Sequence, residues 1–140
     1  MRIEFTIETR DGKKNFADPL LKKRLAIINE LERELYLFAE EVMTESKMRV
    51  PVDTGALMNT GKVLPPEYHA GGKGKDEISI QMGYGDESVK YALYVHENLD
   101  PHVKWTRPGS GPKYLENPLK EKQDELPDRL ADAIRRGLEA

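Results

Sequence analysis

Cysteine is absent from the 140 residues of this chain, which excludes disulfides, thiolate nucleophiles and cysteine-ligated zinc sites. Intracellular assembly is the simpler interpretation of that absence. Long apolar runs are lacking too, since no segment approaches the ~20 apolar residues that a membrane-spanning helix needs. The first residues alternate apolar and polar side chains, unlike the continuous apolar stretch of a signal peptide. The sequence therefore predicts a protein with no membrane contact.

A large excess of charge of either sign is also missing. The chain has 22 basic and 25 acidic residues, for a net charge of −3, and 34% charged residues predict a heavily charged surface. A general nucleic-acid binder carries a strongly basic face, so this balance disfavours that class. Basic side chains in the loops still leave a sequence-independent contact with a DNA backbone open. These side chains are Lys73, Lys75, Lys104, Arg107 and Lys113.

The N-terminal half predicts a strand and a long helix. In residues 2–9, apolar side chains alternate with polar ones, which is typical of a half-buried strand. A helix follows over about 19–48; Asp18 and Pro19 suit its first positions, and Pro51 disfavours its continuation. One face of this helix is predicted to be apolar, because its residues recur every three or four positions. They are Leu21, Leu25, Ile28, Leu31, Leu35, Phe38 and Val42.

Strands are predicted over about 57–97. Residues 65–76 interrupt them with prolines, glycines and charges, which predicts a flexible loop. The segment 77–85 alternates, placing Ile78, Ile80, Met82 and Tyr84 on one side. Residues 90–97 alternate as well and predict another strand, although their alanine and leucine also favour a short helical turn.

The C-terminal part predicts a loop over 98–112 and a helix over about 117–138. Pro127 should kink that helix or start a new one, because proline removes a backbone hydrogen bond. The strands are grouped between two helices, which predicts the α+β class: a small antiparallel sheet packed against a long N-terminal helix and a C-terminal helix. The length fits a single domain, 1–140.

Two histidines and two acids in "HENLDPH" raise the question of a metal or acid–base site. On a strand, His96 and Glu97 point to opposite faces, but a bend at Asp100 could bring His96, Asp100 and His102 together. This spacing matches no known zinc pattern, and a strand end with a polar loop is the simpler interpretation. No serine lies in a nucleophile-elbow context, and the glycine segments lack the P-loop order. We therefore expect no enzyme activity, no cofactor and no metal.

Tryptophan occurs once, at Trp105, within the polar 98–112 loop. A loop tryptophan is either a core plug or an anchor of an interface. The residue type and its position leave both alternatives open.

Three segments together resemble a known family. They are "VPVDTGALMNTGKV" (50–63), "YALYVHENLDPH" (91–102) and "GPKYLENPL" (111–119). Their order and spacing resemble those of small bacteriophage tail-completion or neck proteins, also called minor capsid or minor tail components. Tyr114 stands where phenylalanine is common in that family. The resemblance covers about 20–138, and the N-terminal strand and the 65–76 loop lie outside the matched motifs.

The resemblance implies a non-enzymatic structural virion protein at the head–tail junction of a long-tailed phage or prophage. The implied partners are a portal-side connector or adaptor and the tail terminator or tube, with assembly in the host cytoplasm and a homo-oligomeric ring in the virion. It also implies three structural elements. These are a turn at Pro51, Asp53, Thr54 and Gly55; a strand and its exit at Tyr91, Tyr94, Val95, His96 and Glu97; and a helix anchor at Tyr114, Leu115 and Leu119.

Overall fold

A computed structural model describes most of the chain. The described residues are 1–10, 18–52, 55–71, 75–105 and 107–140, with the backbone alone at 8–10 and 18–21. Asp53, Thr54, Lys73 and the side chain of Leu21, all named above, lie outside this description.

The fold is α+β, as predicted, with a small antiparallel four-stranded sheet, a long N-terminal helix and a C-terminal helix. Helices and strands alternate irregularly along the chain. In order, they are β1 (Arg2–Arg10), α1 (Asp18–Arg49), α2 (Ala56–Asn59), β2 (Lys62–Val63), β3 (Glu67–Ala70), β4 (Lys75–Gly83), α3 (Ala92–Glu97), α4 (Glu116–Lys122), a 3-10 turn (Gln123–Glu125) and α5 (Leu126–Glu139).

Strand β4 is the centre of the sheet. The strand order is β1–β4–β2, and β3 also pairs with β4. Lys62 pairs with Gly83, and Tyr68 pairs with Ile78, both in antiparallel register. The predicted apolar face of β4 is confirmed, since Ile78, Ile80 and Met82 are fully buried.

The chain divides into two compact units. The first comprises Met1–Ile3, Ala39–Val63 and Met82–Asp124, and the second comprises Glu4–Phe38, Leu64–Gln81 and Glu125–Ala140. Helix α1 and strand β4 each contribute residues to both units. The single domain that the sequence predicts stays a prediction.

The second unit is held by an apolar core and a buried carboxylate. The predicted apolar stripe of α1 is confirmed at Ile28, Leu31, Leu35 and Phe38, which are buried, but is wrong at Leu25, which is half exposed. Helix α5 also packs closely against α1 at Gly137. A Cβ added to Gly137 would lie 2.5 Å from the Cα of Ile27, so only glycine permits this approach. Nearby, Glu34 accepts hydrogen bonds from Arg129 (2.6 Å) and Arg136 (3.0 Å).

The first unit is organised around two buried tyrosines. Tyr84 and Tyr114 meet edge to face, with ring centroids 4.9 Å apart. The Tyr84 hydroxyl lies 2.8 Å from the Ser46 hydroxyl on α1, and both side chains are buried. The Tyr114 hydroxyl donates to the carbonyl of Ala92 at 2.7 Å. Within the first unit, these bonds connect the C-terminal part of α1, helix α3, the residue after β4 and the segment before α4.

Three predictions for the middle of the chain are wrong. Residues 92–97 form a helix, 56–59 form another helix, and 67–70 form a strand inside the segment predicted as a flexible loop. Strand β4 already has neighbours on both edges, so 90–97 has no free edge of β4 to join. Strand β3 is mostly exposed, so no apolar alternation marks it; its backbone pairing with β4 defines it instead.

The C-terminal helix is interrupted at the predicted place. Pro127 occupies the first turn of α5, where its missing N–H costs nothing. The predicted helix thus becomes α4, a 3-10 turn and α5. Of the alternatives for Pro127, a new helix start is confirmed.

Candidate protein-contact surface

Helix α3 carries an exposed apolar face in the first unit. Leu93 is 56% exposed and Tyr94 is 72% exposed, whereas Ala92 and His96 are buried. The side chains of Tyr91 and Leu99, on either side of α3, are also largely exposed. We call Tyr91, Leu93, Tyr94 and Leu99 the α3 patch. Large apolar side chains grouped at a surface mark sites of protein contact, and aromatic residues are enriched there.

An apolar groove adjoins the α3 patch and shares Tyr91 with it. Its volume is about 410 Å³. Its walls come from three distant parts of the sequence, including Pro51, Leu57, Tyr91, Val95, Val103 and Trp105. Lys104 is the one charged side chain among the described lining residues. We call this concavity the Trp105 groove.

Trp105 is only half-buried, and its indole forms part of the groove wall. Gly111 lies beside the ring, since a Cβ there would come within 3.7 Å of indole atoms. The loop that carries Trp105 is tied to the end of α1. Arg107 donates to the Lys47 carbonyl at 3.0 Å, and the Gly111 N–H donates to the Arg49 carbonyl at 3.1 Å. Of the two alternatives for Trp105, this placement favours the interface anchor.

His96 is the buried centre of a polar cluster behind the patch. Its Nδ1 lies 2.8 Å from a carboxylate oxygen of Glu97, and its Nε2 lies 3.2 Å from the backbone nitrogen of Glu116. A carboxylate only accepts and a backbone N–H only donates, so Nδ1 must carry the proton and Nε2 must present its lone pair. The arrangement therefore fits the neutral Nδ1–H tautomer.

Lys113 completes this cluster. Its ammonium contacts Glu97 and lies 3.1 Å from Glu116, while its backbone N–H donates to the His96 carbonyl at 2.7 Å. The hydrogen bond from Lys113 lowers the pKa of Glu97, with a smaller contribution from His96. Bonds from Lys120 and then Lys113 lower the pKa of Glu116 to about 2. Both carboxyl groups are thus charged at neutral pH.

The metal set considered as an alternative, His96, Asp100 and His102, differs from the observed cluster. Among the described residues, the group close enough to share an ion is His96, Glu97 and Glu116, without Asp100 or His102. The Nε2 lone pair, which a metal would need, accepts the Glu116 N–H. Asp100 instead accepts the backbone N–H of His102 at 2.9 Å, and both side chains are exposed. The placement of His96 and Glu97 on opposite strand faces is also wrong, because they bond to each other on a helix.

The remaining predicted residues either lie at the groove or are buried elsewhere in the first unit. Pro51 lines the groove, and Gly55 precedes α2 with φ at 85°, a conformation that favours glycine. Tyr114 and Leu115 are buried directly before α4. The family resemblance implied a strand at Tyr91 to Glu97, and the structure has α3 there instead.

Sequence reasoning missed Leu93, Leu99 and Val103 as surface or groove residues. Leu93 falls within 90–97, which the sequence predicted as a strand, and a single apolar residue in a loop, such as Leu99 or Val103, gives no signal of its own. Reading 92–97 at helical spacing would have placed Ala92 and His96 inward and Leu93 outward.

The basic side chains are used unequally. Arg107 and Lys113 are engaged in bonds within the first unit, which makes them structural. Lys75 and Lys104 are exposed. Of the four predicted basic side chains that the structure describes, two are therefore available for contact with DNA.

Comparisons with protein-family models, curated proteins and solved structures find no significant match to this chain. Within the described residues, none of the helices has both the length and the apolar character that crossing a bilayer requires.

Proposed function

We propose that this chain is a non-enzymatic structural protein of a tailed bacteriophage or prophage that completes or joins the tail at the head–tail junction. Two arguments support the proposal. The first is the resemblance of three ordered motifs to neck and tail-completion proteins. The second, which carries it physically, is the exposed α3 patch beside the Trp105 groove, because such a surface is suited to bind another polypeptide.

The proposed partners are other virion proteins. They are the portal-side connector or adaptor, the tail terminator or tube, and further copies of this chain in a ring within the virion. We expect the isolated protein to be monomeric at micromolar concentration and to assemble on its partner. Light scattering that shows a closed ring without any partner would contradict that expectation.

Deletion of the gene followed by complementation tests the function. We expect the deletion to leave unjoined heads and tails, counted by electron microscopy. Wild type should restore joined particles, and a Leu93→Ser/Tyr94→Ser variant should not, since it removes the two most outward side chains of α3. Leu37→Ser is the matched control, because Leu37 is an exposed apolar residue on another helix. Normal particles from the deletion would overturn the proposal.

Contact with DNA inside the particle is the alternative. Lys75 and Lys104 are exposed and could meet phosphates without reading sequence. Binding that weakens steeply as salt rises would support this alternative. A third possibility, a metal-dependent enzyme, predicts retained zinc or manganese in purified protein.

A further inference from the structure

Helix α5 presents an exposed apolar stripe in the second unit. Ile134 is 40% exposed and Leu138 is 52% exposed, and Ala131 is exposed as well. These positions are three and four residues apart, so they lie on one helix face. The helix buries Ala133 and Gly137 instead, and Lys23 donates to the Leu138 carbonyl at 2.6 Å and to an oxygen of Ala140, directly after the helix, at 2.7 Å. The stripe is therefore a second face of α5 that stays largely exposed.

An acidic edge borders this stripe. Asp128, Asp132 and Glu139 are exposed, and their spacings of four and seven residues place them along one line of the helix. Arg135 lies on the same edge and pairs with Asp132 at 3.0 Å. The exposed surface of α5 thus consists of an apolar stripe with a predominantly acidic edge beside it.

Two lysines provide charge of the opposite sign near the Trp105 groove. Lys104 lines the groove itself, and Lys90 lines the neighbouring concavity of the α3 patch, where Glu97 is paired with Lys113. Both ammonium groups are exposed, and within the described residues neither forms an ion pair. The groove volume of about 410 Å³ falls in the ~300–1,000 Å³ range of concave binding sites.

We propose that the Trp105 groove binds α5 of a second copy of this chain. Ile134 and Leu138 enter the groove beside Trp105, and the acidic edge faces Lys90 and Lys104. This is the mode in which an amphipathic helix lays its apolar face into a groove. The proposal deepens the proposed function, on which it rests, by naming one partner of the groove and the segment that this partner supplies.

The two surfaces differ, so the contact is head to tail. Such contacts propagate from copy to copy and form a ring if the rotation closes. The whole stripe from Ala131 to Leu138 spans only about 10 Å of helix at 1.5 Å per residue. A contact of that size is weak by itself, which agrees with a monomer at micromolar concentration. Association should appear at high concentration or on a partner that aligns the copies.

Cysteine cross-linking tests the contact directly, because the chain has no native cysteine. We mix a Lys104→Cys chain with a Leu138→Cys chain at high concentration under mild oxidation. The matched control replaces Leu138→Cys by Leu25→Cys, whose position is 51% exposed and lies on another helix. We expect the 104–138 dimer to form roughly tenfold faster than the 104–25 dimer, since a bound state raises the effective concentration. Equal rates would overturn the proposal.

A mixing experiment distinguishes a head-to-tail contact from a symmetric one. Leu138→Glu damages the stripe, and Tyr91→Glu damages the groove at an exposed side chain. At a concentration high enough for the wild type to associate, each variant alone should be monomeric in sedimentation, whereas their mixture should form one-to-one dimers through the one intact pair of surfaces. Self-association of either variant, or monomers in the mixture, would refute the proposal. Circular dichroism confirms beforehand that both variants are folded.

Trp105 reports the same contact by fluorescence, as the only tryptophan. Its emission should shift to shorter wavelength with rising concentration of the wild type, and Leu138→Glu should abolish the shift. Lys104→Glu should weaken association roughly two- to fivefold, as expected for a pair at a solvent-exposed rim. An unchanged spectrum in the wild type would refute the contact.

Failure of this contact and failure of the proposed function are distinguishable. If α5 binds elsewhere, the cross-link fails but the gene deletion still leaves unjoined heads and tails. If the function is wrong, the deletion gives normal particles whether or not the cross-link forms.

Discussion

The hydroxyl pair of Tyr84 and Ser46 gives a quantitative test of how the first unit is held together. Both side chains are almost fully buried, and their oxygens lie 2.8 Å apart. Tyr84→Phe keeps the ring and its edge-to-face contact with Tyr114 but leaves the Ser46 hydroxyl buried without this partner. A buried polar group left unpaired costs ~1–3 kcal/mol. We expect Ser46→Ala to lower the free energy of unfolding by a similar amount, because it leaves the buried Tyr84 hydroxyl without this partner.

The double variant makes the test specific. Removing both hydroxyls leaves neither one buried without this partner. Tyr84→Phe/Ser46→Ala should therefore lower the free energy of unfolding by ~1–2 kcal/mol less than the sum of the two single variants. Urea unfolding followed by circular dichroism measures all three free energies of unfolding. Each single change should lower the melting temperature by roughly 3–12 °C.

A matched control uses Tyr94, which is 72% exposed. Tyr94→Phe removes a hydroxyl of the same kind from a solvated site and should change the free energy of unfolding by less than ~0.5 kcal/mol. If the two buried variants behave like Tyr94→Phe, or if their effects simply add, the hydrogen bond does not stabilise the unit as argued.

Three further predictions concern Tyr84, Glu116 and Gly137. Burial raises the pKa of Tyr84 to about 12, whereas the tyrosine pKa in the unfolded chain is ~10. The contribution of Tyr84 to stability is therefore complete below pH ~10 and is lost as pH rises through 12. The free energy of unfolding should fall less steeply with alkaline pH in Tyr84→Phe than in wild type, and identical pH dependence would contradict this. The pKa of Glu116 is lowered to about 2, so its effect on stability has the opposite pH dependence. Its contribution is complete above pH ~4.3 and is lost as pH falls towards 2. The free energy of unfolding should therefore fall less steeply with acid pH in Glu116→Gln than in wild type, and an unchanged pH dependence would count against the bonds from Lys120 and Lys113. Gly137→Val should lower the free energy of unfolding by at least ~2 kcal/mol, because the valine Cβ has no room beside Ile27. A variant as stable as wild type in urea would show that the two helices can move apart.

The longer regular elements were predictable from the sequence. The alternation in β1 and β4 and the stripe of α1 are local patterns, and each extends over enough residues to select one period. The start of α5 was predictable too, because proline has a fixed φ and no N–H wherever it occurs.

Helix α3 shows why the middle of the chain was not predictable. Six residues fit either a two-residue or a 3.6-residue period, since Leu93 and Val95 alternate while Ala92 and His96 are one helical turn apart. Which side chains are buried depends on a neighbour distant in sequence. The Tyr114 ring lies 4.9 Å from the His96 ring and therefore fixes His96 inward.

By itself, the sequence determined the α+β class, the long helix and the exclusion of cysteine chemistry, because these depend on residue identity and local period. The proposed relation to neck proteins also rests on sequence motifs alone. Only the tertiary structure decided that the histidine cluster is a hydrogen-bonded support and that Trp105 lines a groove. Both depend on residues 51–52, 55–57, 91–97, 103–105 and 107–116 meeting in space. No local sequence pattern specifies which distant backbone or side chain each of these residues will contact.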